Sequence, residues 1–187
     1  MLEYYSVKDG VPIKPGNYII ADTLDNTEKW YQNGVLHREN GAASIDFDDG
    51  IYEWYHLGKL HRFKGPAIIN YSQGSKSWYQ YGKPHRKNGP AVEENNGVKE
   101  WWVNGKLHRE DGPAVEISNL KFWLLNDVEY TEEQYNKIME NIIKNKYKIV
   151  KKYFRIWYMR SDHPGTKIWK KNINESIDGI EELFRKV

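Results

Sequence analysis

Four histidine–arginine pairs recur along the chain: His37-Arg38, His61-Arg62, His85-Arg86 and His108-Arg109. Imidazole is the commonest protein ligand for zinc, so histidines in register raise metal chemistry first. Geometry argues against it. If one repeat supplies two strands about 4.8 Å apart, equivalent residues lie roughly 10 Å from one another. Ligands of a single zinc sit about 2 Å from the ion, so no metal site is expected. The guanidinium groups offer a second chemistry, forked donors that suit carboxylates and phosphates. Two arrangements remain open. Each His could fix its loop through backbone carbonyls while Arg pairs with Glu39, Glu110 or Asp111. Alternatively, the ladder could be exposed beside an aromatic row and grip an acidic or phosphorylated partner. The candidate partner-binding residues are then Tyr31, Arg38, Tyr55, Arg62, Tyr79, Arg86, Trp102 and Arg109.

These pairs belong to a longer repeated phrase. Trp30-Tyr31-Gln32-Asn33-Gly34-Val35-Leu36-His37-Arg38 returns from Trp54, Trp78 and Trp101, and Trp123 opens a truncated copy. A fixed period of this length implies stacked units, each burying its apolar face only against its neighbours. The residues within one period predict a β-hairpin. In the copy of Trp101, Pro90–Glu94 is a short strand and Asn95-Asn96-Gly97 a turn of residues that tolerate positive φ. Val98–Val103 is a second strand rich in β-formers, closed by Asn104-Gly105. Pro66, Pro90 and Pro113 lack an amide donor and belong at strand starts or in loops. Tryptophans Trp30, Trp54, Trp78, Trp101 and Trp123 are expected to form the structural core. Tyr4 or Tyr5, Gly10, Lys14 and Gly16 suggest a degenerate N-terminal copy, since terminal repeats are often atypical. The expected fold is mainly β with C-terminal α. An array of stacked antiparallel β-hairpins fills residues 1–130, and a helical, basic appendage fills 131–187.

The appendage opens on Thr131-Glu132-Glu133-Gln134, a capping box. Tyr135, Ile138, Met139, Ile142, Tyr147, Val150, Phe154 and Trp157 then follow helical spacing. Lys148, Lys151, Lys152 and Arg155 make the opposite side basic. Ser161–Gly165 should end this helix, and Asn174 or Ser176 should cap a short final one. Three roles stay open for the long helix: docking on the sheet to hide an edge, meeting a partner helix, or lying on an anionic membrane through 144–160.

Composition narrows the classes further. The 187 residues carry a net charge of +2. Residues 1–136 hold 15 Lys/Arg against 20 Asp/Glu, and 137–187 hold 13 against 6. The acidic array argues against nucleic acid there. With Cys 0, disulfides and thiolate metal sites are excluded. Trp 8 and Tyr 14 argue against disorder. The start, Met1–Tyr5, lacks the basic and apolar regions of a signal peptide, and a cytoplasmic location is expected. No P-loop, zincin, nucleophile elbow or dinucleotide fingerprint occurs, so neither an enzyme nor a cofactor is expected.

The order Trp-x-x-x-Gly-Lys-x-His, then Gly, Asp/Asn-Gly and the next Trp, resembles the MORN repeat over about two thirds of the chain. That resemblance implies an open sheet of hairpins and a scaffold that binds proteins, dimerises, or sometimes binds acidic lipids. Arg38, Arg62, Arg86 and Arg109 depart from it, standing where that family usually has Gly. The His-Arg-x-x-Gly-Pro-Ala variant resembles repeats in proteins of large DNA viruses, phages and some bacteria. The expected function is a non-catalytic scaffold that presents an extended surface to a protein partner and could form a homodimer. The alternative is a viral or phage inhibitor, in the host cytoplasm, that sequesters a host defence protein or a small nucleotide signal.

Overall fold

The computed structural model describes residues 3–6, 16–22 and 24–160, with side chains at 16–22 and 24–152. Gly10 and Lys14 of the degenerate copy lie outside the described residues. So do the turn expected at 161–165, the final helix, and the side chain of Arg155. The chain forms two units, residues 1–136 and 137–187.

The first unit is the expected stack of antiparallel hairpins, with one refinement: each complete copy holds two hairpins. In the copy of Trp54, β5 (Ser44–Asp46) pairs with β6 (Ile51–Glu53). The chain then breaks at Trp54, and β7 (Tyr55–His56) pairs with β8 (Lys59–Leu60) in a separate small sheet. The pattern repeats around Trp78, with β9 (Ile68–Asn70) and β10 (Ser75–Ser77), then β11 (Tyr79–Gln80) and β12 (Lys83–Pro84). Around Trp101 it is β13 (Val92–Glu93) and β14 (Lys99–Glu100), then β15 (Trp102–Val103) and β16 (Lys106–Leu107). The single strand expected over 98–103 is therefore two.

The end copies run through the tryptophan unbroken. At one end β2 (Asn17–Asp22) pairs with β3 (Thr27–Gln32), which also carries β4 (Val35–Leu36). At the other, β18 (Leu120–Leu125) pairs with β17 (Val115–Ile117) through its first half and β19 (Val128–Tyr130) through its second. The larger hairpins join antiparallel into one sheet. The outermost strand, β1 (Glu3–Ser6), pairs parallel with β2. It is thus not half of a worn hairpin.

The tightest seam in this sheet is built on alanine rather than tryptophan. Ala43, Ala67, Ala91 and Ala114 are 0 % exposed. Each carbonyl accepts from the tryptophan amide of the preceding copy, at 2.7–2.8 Å, and each amide donates within its own copy. Two backbones are hydrogen-bonded here, and each enclosed side chain is a single methyl group. Trp30, Trp54, Trp78, Trp101 and Trp123 are half-buried, so they line the array without being enclosed by it.

The helix α1 (Glu132–Arg160) begins at the end of the first unit, at the expected capping box, and continues into the second. The Thr131 Oγ1 accepts from the Gln134 amide at 3.2 Å, and the Gln134 Oε1 accepts from the Thr131 amide at 3.1 Å. Lys148 and Lys152 are exposed and Lys151 is half-exposed, its ammonium 5.6 Å from the Tyr147 ring centre. No helix among the described residues is long and apolar enough to cross a membrane.

Candidate functional site

Most of the histidine and arginine ladder fastens copies together. Each small hairpin turns on two residues of positive φ: Asn33-Gly34, Leu57-Gly58, Tyr81-Gly82, Asn104-Gly105 and Asn126-Asp127. This is the turn whose twist suits a two-residue hairpin loop. Its two amides point at the preceding copy. Leu57, Tyr81, Asn104 and Asn126 donate to Nδ1 of His37, His61, His85 and His108 at 3.1–3.2 Å. The next residue, Gly58, Gly82, Gly105 or Asp127, donates to the carbonyl of Leu36, Leu60, Pro84 or Leu107. The imidazoles thus accept from amides of the next copy, where bonds to carbonyls were expected. An imidazole accepting at Nδ1 carries its proton on Nε2 when neutral. A metal bound at Nε2 would need that lone pair and would cost the link between copies.

The arginines close the same loops from the other side. Each guanidinium carbon lies 3.7–3.9 Å from the ring centre of its own copy's tryptophan: Arg38 over Trp30, Arg62 over Trp54, Arg86 over Trp78, Arg109 over Trp101. Each Nη1 also donates to the carbonyl four residues on, at Ala42, Pro66, Pro90 and Pro113. Glu93 pairs with Arg86 at 2.6 Å, while Asp111 and Glu116 pair with Arg109. The Arg109 side chain is only 19 % exposed. Each guanidinium is thus engaged mainly within its own loop, although Tyr31 lines one open cleft with Arg38, and Tyr79 lines another with Arg62 and Arg86. The aromatic row makes contacts of its own. Tyr31 stacks on Tyr18, Trp102 Nε1 donates to Glu100 at 2.7 Å, and the Tyr55 hydroxyl donates to Glu53. Burial, then the Glu53 carboxylate, pushes the Tyr55 phenol up to about 12. Burial also raises Tyr31.

The truncated copy lacks a His-Arg pair, and the first helical turn supplies a substitute. Tyr135 packs its ring 4.8 Å from Trp123. Its hydroxyl donates to the Arg109 carbonyl at 2.9 Å and accepts from the Gly112 amide at 3.2 Å. Tyr135 was legible only as one apolar residue of a helical stripe.

What remains is where the copies differ. His56 stands where other copies have Gln32, Gln80 and Val103. Phe63 stands where they have Glu39, Lys87 and Glu110, and Leu57 and Tyr81 replace Asn33, Asn104 and Asn126. These departures meet in space. The His61 ring lies 4.4 Å from Phe63, 4.3 Å from Tyr81 and 5.8 Å from His56, which in turn lies 4.9 Å from His37. Phe63 is 77 % exposed, Leu57 63 % and Tyr81 57 %. His61 Nε2 is buried and has no hydrogen-bond partner. Burial, then His56, lowers the His61 pKa.

Two further observations set this cluster apart. Leu57 and Tyr81 both sit at φ 50, a left-handed conformation that asparagine tolerates and that costs other L-residues about 1–2 kcal/mol. Strained backbone carrying exposed apolar side chains is a signature of a site kept for use rather than stability. Second, no Asp or Glu occurs between Glu53 and Glu93, while Lys59, Arg62, Lys64, Lys76, Lys83, Arg86 and Lys87 do. The sequence between these two glutamates thus carries only basic charge, of which Arg86 is paired with Glu93, a contrast that an average over residues 1–136 conceals. An open cleft of about 240 Å³ lies here, lined by Arg62, Phe63, Trp78, His85, Arg86 and Lys87.

No family model, curated protein or solved structure matches this chain.

Proposed function

We propose that this chain is a non-catalytic protein-interaction scaffold whose partner seats on the small-hairpin side of the second and third complete copies. The observation that carries this reading is the cluster of His56, Leu57, His61, Phe63 and Tyr81. Its members include the residues that break the repeat, they converge, and two of them hold a strained turn. The repeated histidines and arginines are engaged in links within and between copies. A neighbouring pair of exposed rings beside an unsatisfied imidazole N–H is the kind of patch that anchors a protein interface. The resemblance to MORN scaffolds points the same way.

Photo-crosslinking tests it. A benzophenone side chain placed at position 63 of the full chain in its native host should yield one dominant protein adduct. The same probe at Leu24, which is 86 % exposed and outside the cluster, should not. No adduct from position 63, or identical adducts from both positions, overturns the reading.

A further inference from the structure

We infer that the partner segment received by this patch is an acidic peptide carrying an aromatic or aliphatic anchor, an inference that rests on the scaffold reading and adds the partner's chemistry. Charge points to it first. Lys64 and Lys87 are exposed in the loops beside Phe63 and the Arg86 guanidinium. Lys59 lies against the Tyr81-Gly82 turn, since a Cβ on Gly82 would meet its Cβ at 3.8 Å. No carboxylate lies within the intervening sequence to neutralise them. The corresponding loops of the flanking copies carry Glu39, Glu110 and Asp111. An acidic segment is therefore attracted to the middle copies and repelled on either side, which fixes its register.

Apolar chemistry supplies the anchor. Phe63 and Tyr81 flank the His61 ring; one copy earlier, exposed Leu57 adjoins His56 in sequence, and Val35 of β4 lies 3.5 Å from where a Gly58 Cβ would be. Two exposed rings around one imidazole suit a single Phe, Trp or Leu anchor better than a run of stacked bases, which wants aromatic platforms in series. The His61 Nε2–H lies under this anchor site without an acceptor. A carbonyl or carboxylate brought in as Phe63 shifts aside would satisfy it.

The test pans a library of short random peptides against the full chain and counter-selects on a Phe63→Ala, Lys64→Glu, Lys87→Glu variant. These positions are exposed, and thermal unfolding verifies that the variant folds; Phe63→Ala alone serves as a second counter-selection. Survivors should carry net negative charge with at least one Phe, Trp or Leu. As synthetic peptides they should bind roughly tenfold more weakly to Lys64→Glu, Lys87→Glu and weaken as salt rises. Neutral or basic survivors, or none that distinguish wild type from variant, overturn the inference. So does tighter, variant-sensitive binding of a labelled single-stranded oligonucleotide or of anionic vesicles. A crosslinked protein whose contacting segment is not acidic would sink the acidic-peptide inference while leaving the scaffold reading intact.

Discussion

Replacing Arg62 by leucine asks how far the guanidinium ladder is structural. Arg62 makes two contacts, the face of Trp54 at 3.9 Å and the Pro66 carbonyl at 3.1 Å. A half-buried cation over an indole contributes about 1–2 kcal/mol, and a charged donor to a carbonyl about 1.5 kcal/mol. Leucine restores part of the ring contact by burying methyl groups, so a net loss of about 1.5–2.5 kcal/mol is expected. Over the 136 residues of the first unit, an unfolding entropy of ~2.1 cal/mol/K per residue converts that to a fall in Tm of about 5–9 °C. Arg62→Lys should recover little, because an ammonium cannot lie flat on the ring and reach the carbonyl together. Arg86→Leu should cost roughly a further 1 kcal/mol, since it also abandons Glu93 at 2.6 Å. Calorimetric or urea unfolding of the full chain, with far-UV dichroism as a check on the fold, measures all three. If Arg62→Leu and Arg62→Lys both unfold with wild type, the clip does not hold the array and the arginines are free for binding.

The His61 link makes the array acid-sensitive. An imidazolium cannot accept at Nδ1, and burial already lowers the His61 pKa below its unfolded value near 6.5. The unfolded chain therefore binds more protons at His61 as pH falls, so this contribution is fully present above about pH 7 and is lost progressively below about pH 6.5; a urea midpoint indifferent to pH across that window would refute the His61 link. Ala91→Val inserts two methyl groups at a seam that is 0 % exposed, and should destabilise by about 1–3 kcal/mol; an unchanged midpoint would mean the seam is open. Tyr135→Phe keeps the ring on Trp123 but strands the Gly112 amide and Arg109 carbonyl, costing about 1–2 kcal/mol, and amide exchange at Gly112 should accelerate.

The architecture was legible because it is written five times. The tryptophan period, the Asn-Gly turns and the capping box at Thr131–Gln134 all report local backbone geometry, and each stands as expected. The break at Trp54, Trp78 and Trp101 was not legible, because Val98–Val103 has strand propensity throughout. What divides it is the Trp101 amide, which bonds to the Ala114 carbonyl of the next copy. Propensity carries no trace of such a partner. The arginine–tryptophan stack escaped for the same reason: eight residues separate Arg62 from Trp54, and only the folded loop closes that distance. The cluster around His61 was visible in principle. His56 and Phe63 in the copy of Trp54, and Tyr81 in that of Trp78, are places where a copy departs from the repeated residues.

If shared residues build the array while the departures bind, reverting the departures to what other copies carry separates the two most directly. The variant carries His56→Gln, Leu57→Asn, Phe63→Glu and Tyr81→Asn together. It should fold with a Tm equal to or above wild type, because asparagine relieves the φ 50 turns, and should no longer capture the protein crosslinked from position 63. A folded variant that retains that partner at wild-type affinity would contradict this division of labour.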